Sequence, residues 1–170
     1  WRSAAKPEGQ ETASHHLGWA MGSFSAAAIY AGCLVLAFCA PYEVLRDPVL
    51  LRRRFEGLLT VPFAALYWGS EYNAISEVVY KLLWFAPLGV LLMLAIEWLQ
   101  APRRVRAALL LAALLAAVAI ALGIELLQVF FPPRVPDITD VLLYSTGSAA
   151  GMFFTGRACA ARRRQHAGRS

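Results

Sequence analysis

The sequence predicts an all-α, polytopic membrane protein with four transmembrane helices and an interfacial connection between the first and the second. Three observations predict it. Of the 170 residues, 59% are hydrophobic and only 16% charged, with a mean hydropathy of +0.53; soluble domains hold about 45–50% apolar and about 25% charged residues. The apolar residues gather in long runs, close to the ~20 residues a helix needs to cross the hydrocarbon of a bilayer. The charges, net +5, are mostly arginines in short clusters beside those runs, as topology signals and headgroup contacts are. No nucleic-acid partner is expected, because no soluble face carries aromatic or polar base readers.

The length suits one domain, read as a mobile polar tail (1–16), a four-helix membrane domain (17–156) and a basic cytoplasmic tail (157–170). The chain opens on Trp1, so a fragment or a processed form is expected. The first apolar run is too long for a secretory leader and no cleavage site follows it. His15 and His16, adjacent on the tail, read as solvated. Residues 17–40 form the first span, with no charge and a small-residue face of Gly18, Gly22, Ser25 and Ala26. Trp19 and Tyr42 sit near its ends as interfacial aromatics do. Cys33 and Cys39 fall in or beside this run and Cys159 in the basic tail; no metal-binding or disulfide spacing occurs, so apolar filling is expected.

Residues 41–77 are the longest connection. They carry the triplet Arg52, Arg53 and Arg54, then an aromatic stretch broken by Pro62 and Gly69 that is too interrupted to span and reads as interfacial. Glu71 and Tyr72 follow, and Glu77 and Lys81 stand four apart on one helical face. The second span, 78–99, holds Pro87 and Gly89, which should loosen or kink it. Glu97, near its exit, is expected to reach headgroups or water. A basic turn (Arg103, Arg104, Arg106) leads to the third span, 107–131, and a short fourth span, 138–155, contains the Gly-x-x-x-Gly pair Gly147 and Gly151, a helix-packing motif.

Most of the unusual polar chemistry lies around the hairpin between the last two spans. Glu125 and Gln128, three apart, share a face. Pro132, Pro133 and Pro136 end one helix and begin the next. Asp137 suits an N-cap that accepts from the amide of Asp140, itself placed at a positive helix start. Glu125 lies about six residues, or roughly 9 Å, from the end of its span, at the shoulder of the hydrocarbon. An ion pair with Arg134 would offset part of its desolvation. Four spans put both termini on one side. Ten lysines and arginines lie on that side against five on the other, which predicts the termini inside. Lys81, Glu71, Glu125, Gln128, Arg134, Asp137 and Asp140 can then meet in one layer at the outer face.

The run 81–92 (KLLWFAPLGVLL), then 123–128 (GIELLQ), then Arg134, Asp137 and Asp140 followed by Val-Leu-Leu with Gly147 and Gly151, resembles the VanZ-like membrane family over about residues 40–155. This chain has Tyr144 or Ser145 where many members carry Asn. The resemblance implies a bacterial inner-membrane setting in the cell envelope, and its founding member is associated with teicoplanin resistance. Three classes of function stay open. The polar layer can bind a lipid-linked cell-wall precursor or a glycopeptide, with Arg134 and the Arg52 triplet meeting phosphate or carboxylate. It can be catalytic, Glu125, Asp137 and Asp140 holding a divalent cation or acting as acid and base, although Ser145 and Ser148 lack a base nearby. It can carry protons through Glu125 in a small efflux unit that oligomerises. Membrane lipids are the expected surroundings. No cofactor or resident metal is expected, and no catalytic residue is assigned.

Overall fold

A computed structural model describes residues 8–58, 71–132 and 136–168. Those residues form five helices: α1 (Glu8–Cys39), α2 (Pro48–Leu58), α3 (Glu71–Trp98), α4 (Arg103–Gln128) and α5 (Ile138–Ala167). Three stretches are long and apolar enough to cross a membrane, Ser14–Cys39, Ile75–Trp98 and Arg103–Gln128. α5, with 30 residues, matches them in length but not in apolarity. The difference has a physical origin, because Thr139, Asp140 and Ser148 on its inner face are polar and buried.

The helices are longer than hydropathy suggests. α1 starts at Glu8, inside the stretch read as a tail, and α5 runs to Ala167 through the arginines read as a second tail. Alanine and arginine are strong helix formers, and neither Gly nor Pro interrupts 157–167. α3 begins at Glu71, so Glu77 and Lys81 lie within it. It continues through Pro87 as one helix. Within the long connection, α2 is a separate short helix. Asp47 is its N-cap, accepting from the amide of Val49 at 2.9 Å, with Pro48 in the first helical position, where its missing N–H is harmless.

Contacts along their lengths fix the directions. Lys81 meets Asp140, Phe85 meets Tyr144, and Glu97 meets Arg163, so α3 and α5 run parallel. Trp19 meets Trp98 and Tyr30 bonds the carbonyl of Trp84, so α1 is antiparallel to α3. The core lies between α1, α3, α4 and α5, filled by Leu34, Phe85, Leu88, Ile124 and Tyr144, with Ala113, Ala117 and Ala121 of α4 lining it at four-residue intervals. Large apolar side chains cover the outside as well, among them Phe24 and Ile29 of α1, Leu83 of α3, Leu111 and Leu115 of α4, and Phe153 and Phe154 of α5. Such a surface suits lipid and not water.

α3 and α5 make the most extensive helix contact, and glycine permits it. A Cβ at Gly147 would meet the carbonyl oxygen of Leu82, one at Gly151 that of Ala86, and one at Gly89 that of Ser148. Each is a backbone-to-backbone approach that a side chain excludes. Gly18 and Gly22 of α1 have open space around them, so these two glycines of the small-residue face pack against nothing among the described residues. Gly151→Ala is therefore expected to lower stability by at least about 1–3 kcal/mol, whereas Gly18→Ala should raise it by roughly 0.5–1 kcal/mol. Thermal unfolding of the two variants in one detergent measures the difference.

Candidate functional site

The hairpin between α4 and α5 brings together side chains from three helices. Lys81 of α3 is the centre of the group. Its Nζ donates to Glu77 Oε1 at 2.6 Å, one turn earlier on the same helix, and to Asp140 Oδ1 of α5 at 2.5 Å. The Lys81–Asp140 pair is largely shielded, with side-chain exposures of 14% and 11%. The second oxygen of Asp140 accepts from the Tyr144 hydroxyl at 3.4 Å, one turn on. Tyr144 is itself locked, its ring stacked on Phe85 with centroids 4.2 Å apart and set edge-on against Phe38 at 5.2 Å. Tyr144 thus serves both the core and the cluster.

Glu125 is fully buried on α4. Its Oε2 accepts from the backbone N–H of Asp137 at 2.9 Å, so one carboxylate closes the hairpin on itself. Its Oε1 has no hydrogen-bond partner among the described residues. Arg134, expected to pair with Glu125, lies outside the described residues, as do Pro133 and Val135. Asp137 caps α5 as expected, but through the amide of Thr139 at 2.8 Å; the amide of Asp140 goes to the Asp137 carbonyl at 3.0 Å. The side chain reaches the second residue of the helix, one short of the third. Gln128 is buried and donates from Nε2 to the carbonyl of Phe38 at 3.2 Å, tying α4 to the end of α1. Glu71 opens α3; the placement of its side chain lies outside what is described.

The sequence reading missed two features. Arg54 of α2 donates from Nε to the carbonyl of Val129 at 2.8 Å and from Nη2 to that of Gln128 at 2.6 Å. It thereby adds a donor to two carbonyls at the end of α4, that of Gln128 also accepting from the amide of Phe131 at 3.2 Å, and sets a cation against the negative end of the helix dipole. The amide of Leu45 takes the next carbonyl, Phe130, at 2.9 Å. Arg52 and Arg53 remain on the exposed side of α2, Arg52 paired at the surface with Glu56 at 3.1 Å. Beside them Leu51, Phe55, Val129 and Phe130 line an apolar groove of about 420 Å³. Three consecutive arginines within a short helix gave no hint that the triplet splits into one structural and two outward-facing side chains.

The second missed feature is at the opposite end. Glu97, expected to reach headgroups or water, is buried and bonds both Arg106 of α4 and Arg163 of α5. A larger cavity, about 560 Å³, opens beside it.

Among the described residues, no three His, Cys, Asp or Glu side chains come together as a metal site. The cluster around Lys81 instead offers one cation held between two acids, a hydroxyl, and a buried carboxylate with one open oxygen. Its energetics are those of a shielded ion pair, where removing one partner costs about 3–5 kcal/mol while replacing both by apolar residues is close to neutral. Lys81→Met is expected to destabilise by that amount, and adding Asp140→Leu should restore most of the loss. A double-mutant cycle read by thermal unfolding in detergent tests this; loss of equal size in the double variant would show that the pair is not the unit.

Comparison with known proteins adds one finding. Residues 26–157 match the model of the VanZ/LLP1 family. No curated protein and no solved structure matches. The matched stretch runs from the middle of α1 into α5 and takes in Lys81, Glu125, Asp137 and Asp140. It covers well over half of the sequence, and on that ground the chain belongs to the VanZ/LLP1 family.

Proposed function

We propose that this membrane protein binds a lipid-linked or glycopeptide ligand of the bacterial cell envelope, in the setting of glycopeptide (teicoplanin) resistance, at the bundle end that carries α2 and the Lys81 cluster. In this reading α5 is a fourth span, its exposed Leu142, Phe153 and Phe154 turned to lipid, and both termini lie on the cytoplasmic side of the inner membrane. The basic residues favour that orientation, ten to five.

One observation carries the reading. An apolar groove and outward arginines occur side by side on α2. Leu51, Phe55, Val129 and Phe130 form the groove, the Arg52–Glu56 pair stands at its edge, and Arg53 is exposed next to it. A polyprenyl chain suits the groove, and a phosphate suits guanidinium groups that offer charge-assisted bonds in a planar fork. Arg54 anchors α2 to the carbonyls of Gln128 and Val129, three residues past Glu125, so the groove and the buried cluster share one support. The Lys81–Asp140–Tyr144 chain stiffens that support and does not itself contact the ligand.

The test uses purified protein in phosphatidylcholine nanodiscs, with a polyprenyl phosphate and teicoplanin as probes. Arg52→Gln with Arg53→Gln is expected to weaken binding of at least one probe by about tenfold, equivalent to ~1.4 kcal/mol, without changing the melting temperature. Unchanged affinity for both probes would falsify the reading.

A second reading is favoured by the open oxygen of Glu125. A fully buried carboxylate whose Oε1 has no partner among the described residues is suited to carry a proton, and the protein would then be a small proton-coupled efflux unit. Against it stands the position of Glu125 one turn from the end of α4, since transporter sites lie near the midplane. In reconstituted vesicles, Glu125→Gln abolishes pH-driven uptake of a fluorescent drug under the efflux reading and leaves it unchanged under the binding reading.

A further inference from the structure

The bundle end opposite to the Lys81 cluster holds a cavity of about 560 Å³. It lies where α3 ends, α4 begins and the second half of α5 passes. Its wall is apolar on one side, with Leu94, Ile96 and Trp98, and basic on the other, with Arg106, Arg162 and Arg163. Glu97 is the one acid in the lining, so three positive charges face one negative charge.

The geometry of Glu97 explains why the arginines stay there. It is 9% exposed, and its two oxygens are used separately. Oε1 accepts from Nη2 of Arg106 and Oε2 from Nη2 of Arg163. A single buried carboxylate therefore fixes a guanidinium from α4 and one from α5. Each contact engages one nitrogen of a group that carries five N–H donors. The start of α4 adds to the positive potential, since its N-cap is Pro102 and no side chain caps its first amides.

The level of the cavity is marked by aromatic side chains. Trp98 stacks on Trp19 with centroids 5.9 Å apart, and His16 lies 5.6 Å from Trp98. Tryptophans cluster where a bilayer's hydrocarbon meets its headgroups. Two of the long apolar stretches, Ile75–Trp98 and Arg103–Gln128, end and begin here, so the cavity opens at headgroup depth. Basic pockets between helices at that depth recognise anionic headgroups.

We propose that this cavity is a binding site for the headgroup of an anionic phospholipid. The phosphate lies among Arg106, Arg162 and Arg163, and the acyl chains leave past Leu94 and Ile96. The site is independent of the α2 groove, from which the whole length of the bundle separates it.

Cys159 lines the cavity and is partly exposed, which makes it a reporter. The full chain is placed in nanodiscs of phosphatidylcholine alone or mixed with phosphatidylglycerol, and alkylation of Cys159 by a small maleimide is followed by peptide mass spectrometry. Phosphatidylglycerol is expected to slow Cys159 by about fivefold, the effect of roughly one bound basic contact. Arg162→Gln should remove most of that protection. Arg164→Gln, which removes the same charge from α5 outside the cavity lining, should leave it intact, as should Arg52→Gln in α2. Equal loss with Arg162→Gln and Arg164→Gln would mean diffuse surface attraction and overturn the site. So would equal Cys159 rates in the two lipid mixtures. Protection of the same size by inorganic phosphate in pure phosphatidylcholine would overturn the lipid as its occupant.

Discussion

The close approach of α3 and α5 governs the rest of the structure. Backbone meets backbone at Gly89, Gly147 and Gly151, and no other residue type fits there. That contact sets the axial register of two parallel helices, and the register decides every polar partnership between them. It brings Asp140 level with Lys81, Tyr144 level with Phe85, and Arg163 level with Glu97. Between the two ion pairs, the hydroxyl of Ser148 donates to the carbonyl of Phe85 at 3.2 Å. A hydroxyl bonded to a helix carbonyl is the small polar contact that apolar surroundings tolerate.

Charge is kept to the two ends of the bundle, and the ends differ in kind. At one, the cation Lys81 is held between Glu77 and Asp140, with Glu125 and Asp137 joined in the same hairpin. At the other, the anion Glu97 is held between Arg106 and Arg163, with Arg162 in the same cavity wall. Each end buries one minority charge and uses it to hold groups from different helices. The acid-rich end is further closed by helix-end chemistry, with Asp137 on the first amides of α5 and Arg54 on the last carbonyls of α4. Both devices satisfy backbone groups that hydrocarbon cannot. The hairpin is stable for the same reason that it is polar.

Much of this was legible in the sequence, and what was not follows a physical rule. The helical class, the packing role of Gly147 and Gly151, the capping role of Asp137 and the contact of Lys81 with Glu77 are local. They depend on residues three or four apart, and periodicity reports them. Gathering Lys81, Glu125, Gln128, Asp137 and Asp140 at one end followed from counting hairpins. The partner of Lys81 across the bundle did not, because Asp140 lies 59 residues away and only the parallel pairing of α3 with α5 selects it. Glu97 was misread for the same reason. Near the end of a span it resembles a residue bound for water, yet arginines from two later helices reach it. The helical form of the two polar ends also escaped notice, because hydropathy marks membrane spans and says nothing about where a helix stops.

The double clamp on α3 and α5 has a mechanical consequence. Lys81–Asp140 and Glu97–Arg163 bracket the glycine contact from both sides. Sliding or twisting one helix along the other would have to break two ionic links at once, one shielded and one with its arginine half in the open, while dragging peptide groups past each other without side-chain cushioning. The pair therefore behaves as a rigid spine. Any movement of α1 or α4 against that spine has to release the Tyr30–Trp84 bond of α1 or the Glu97–Arg106 link of α4.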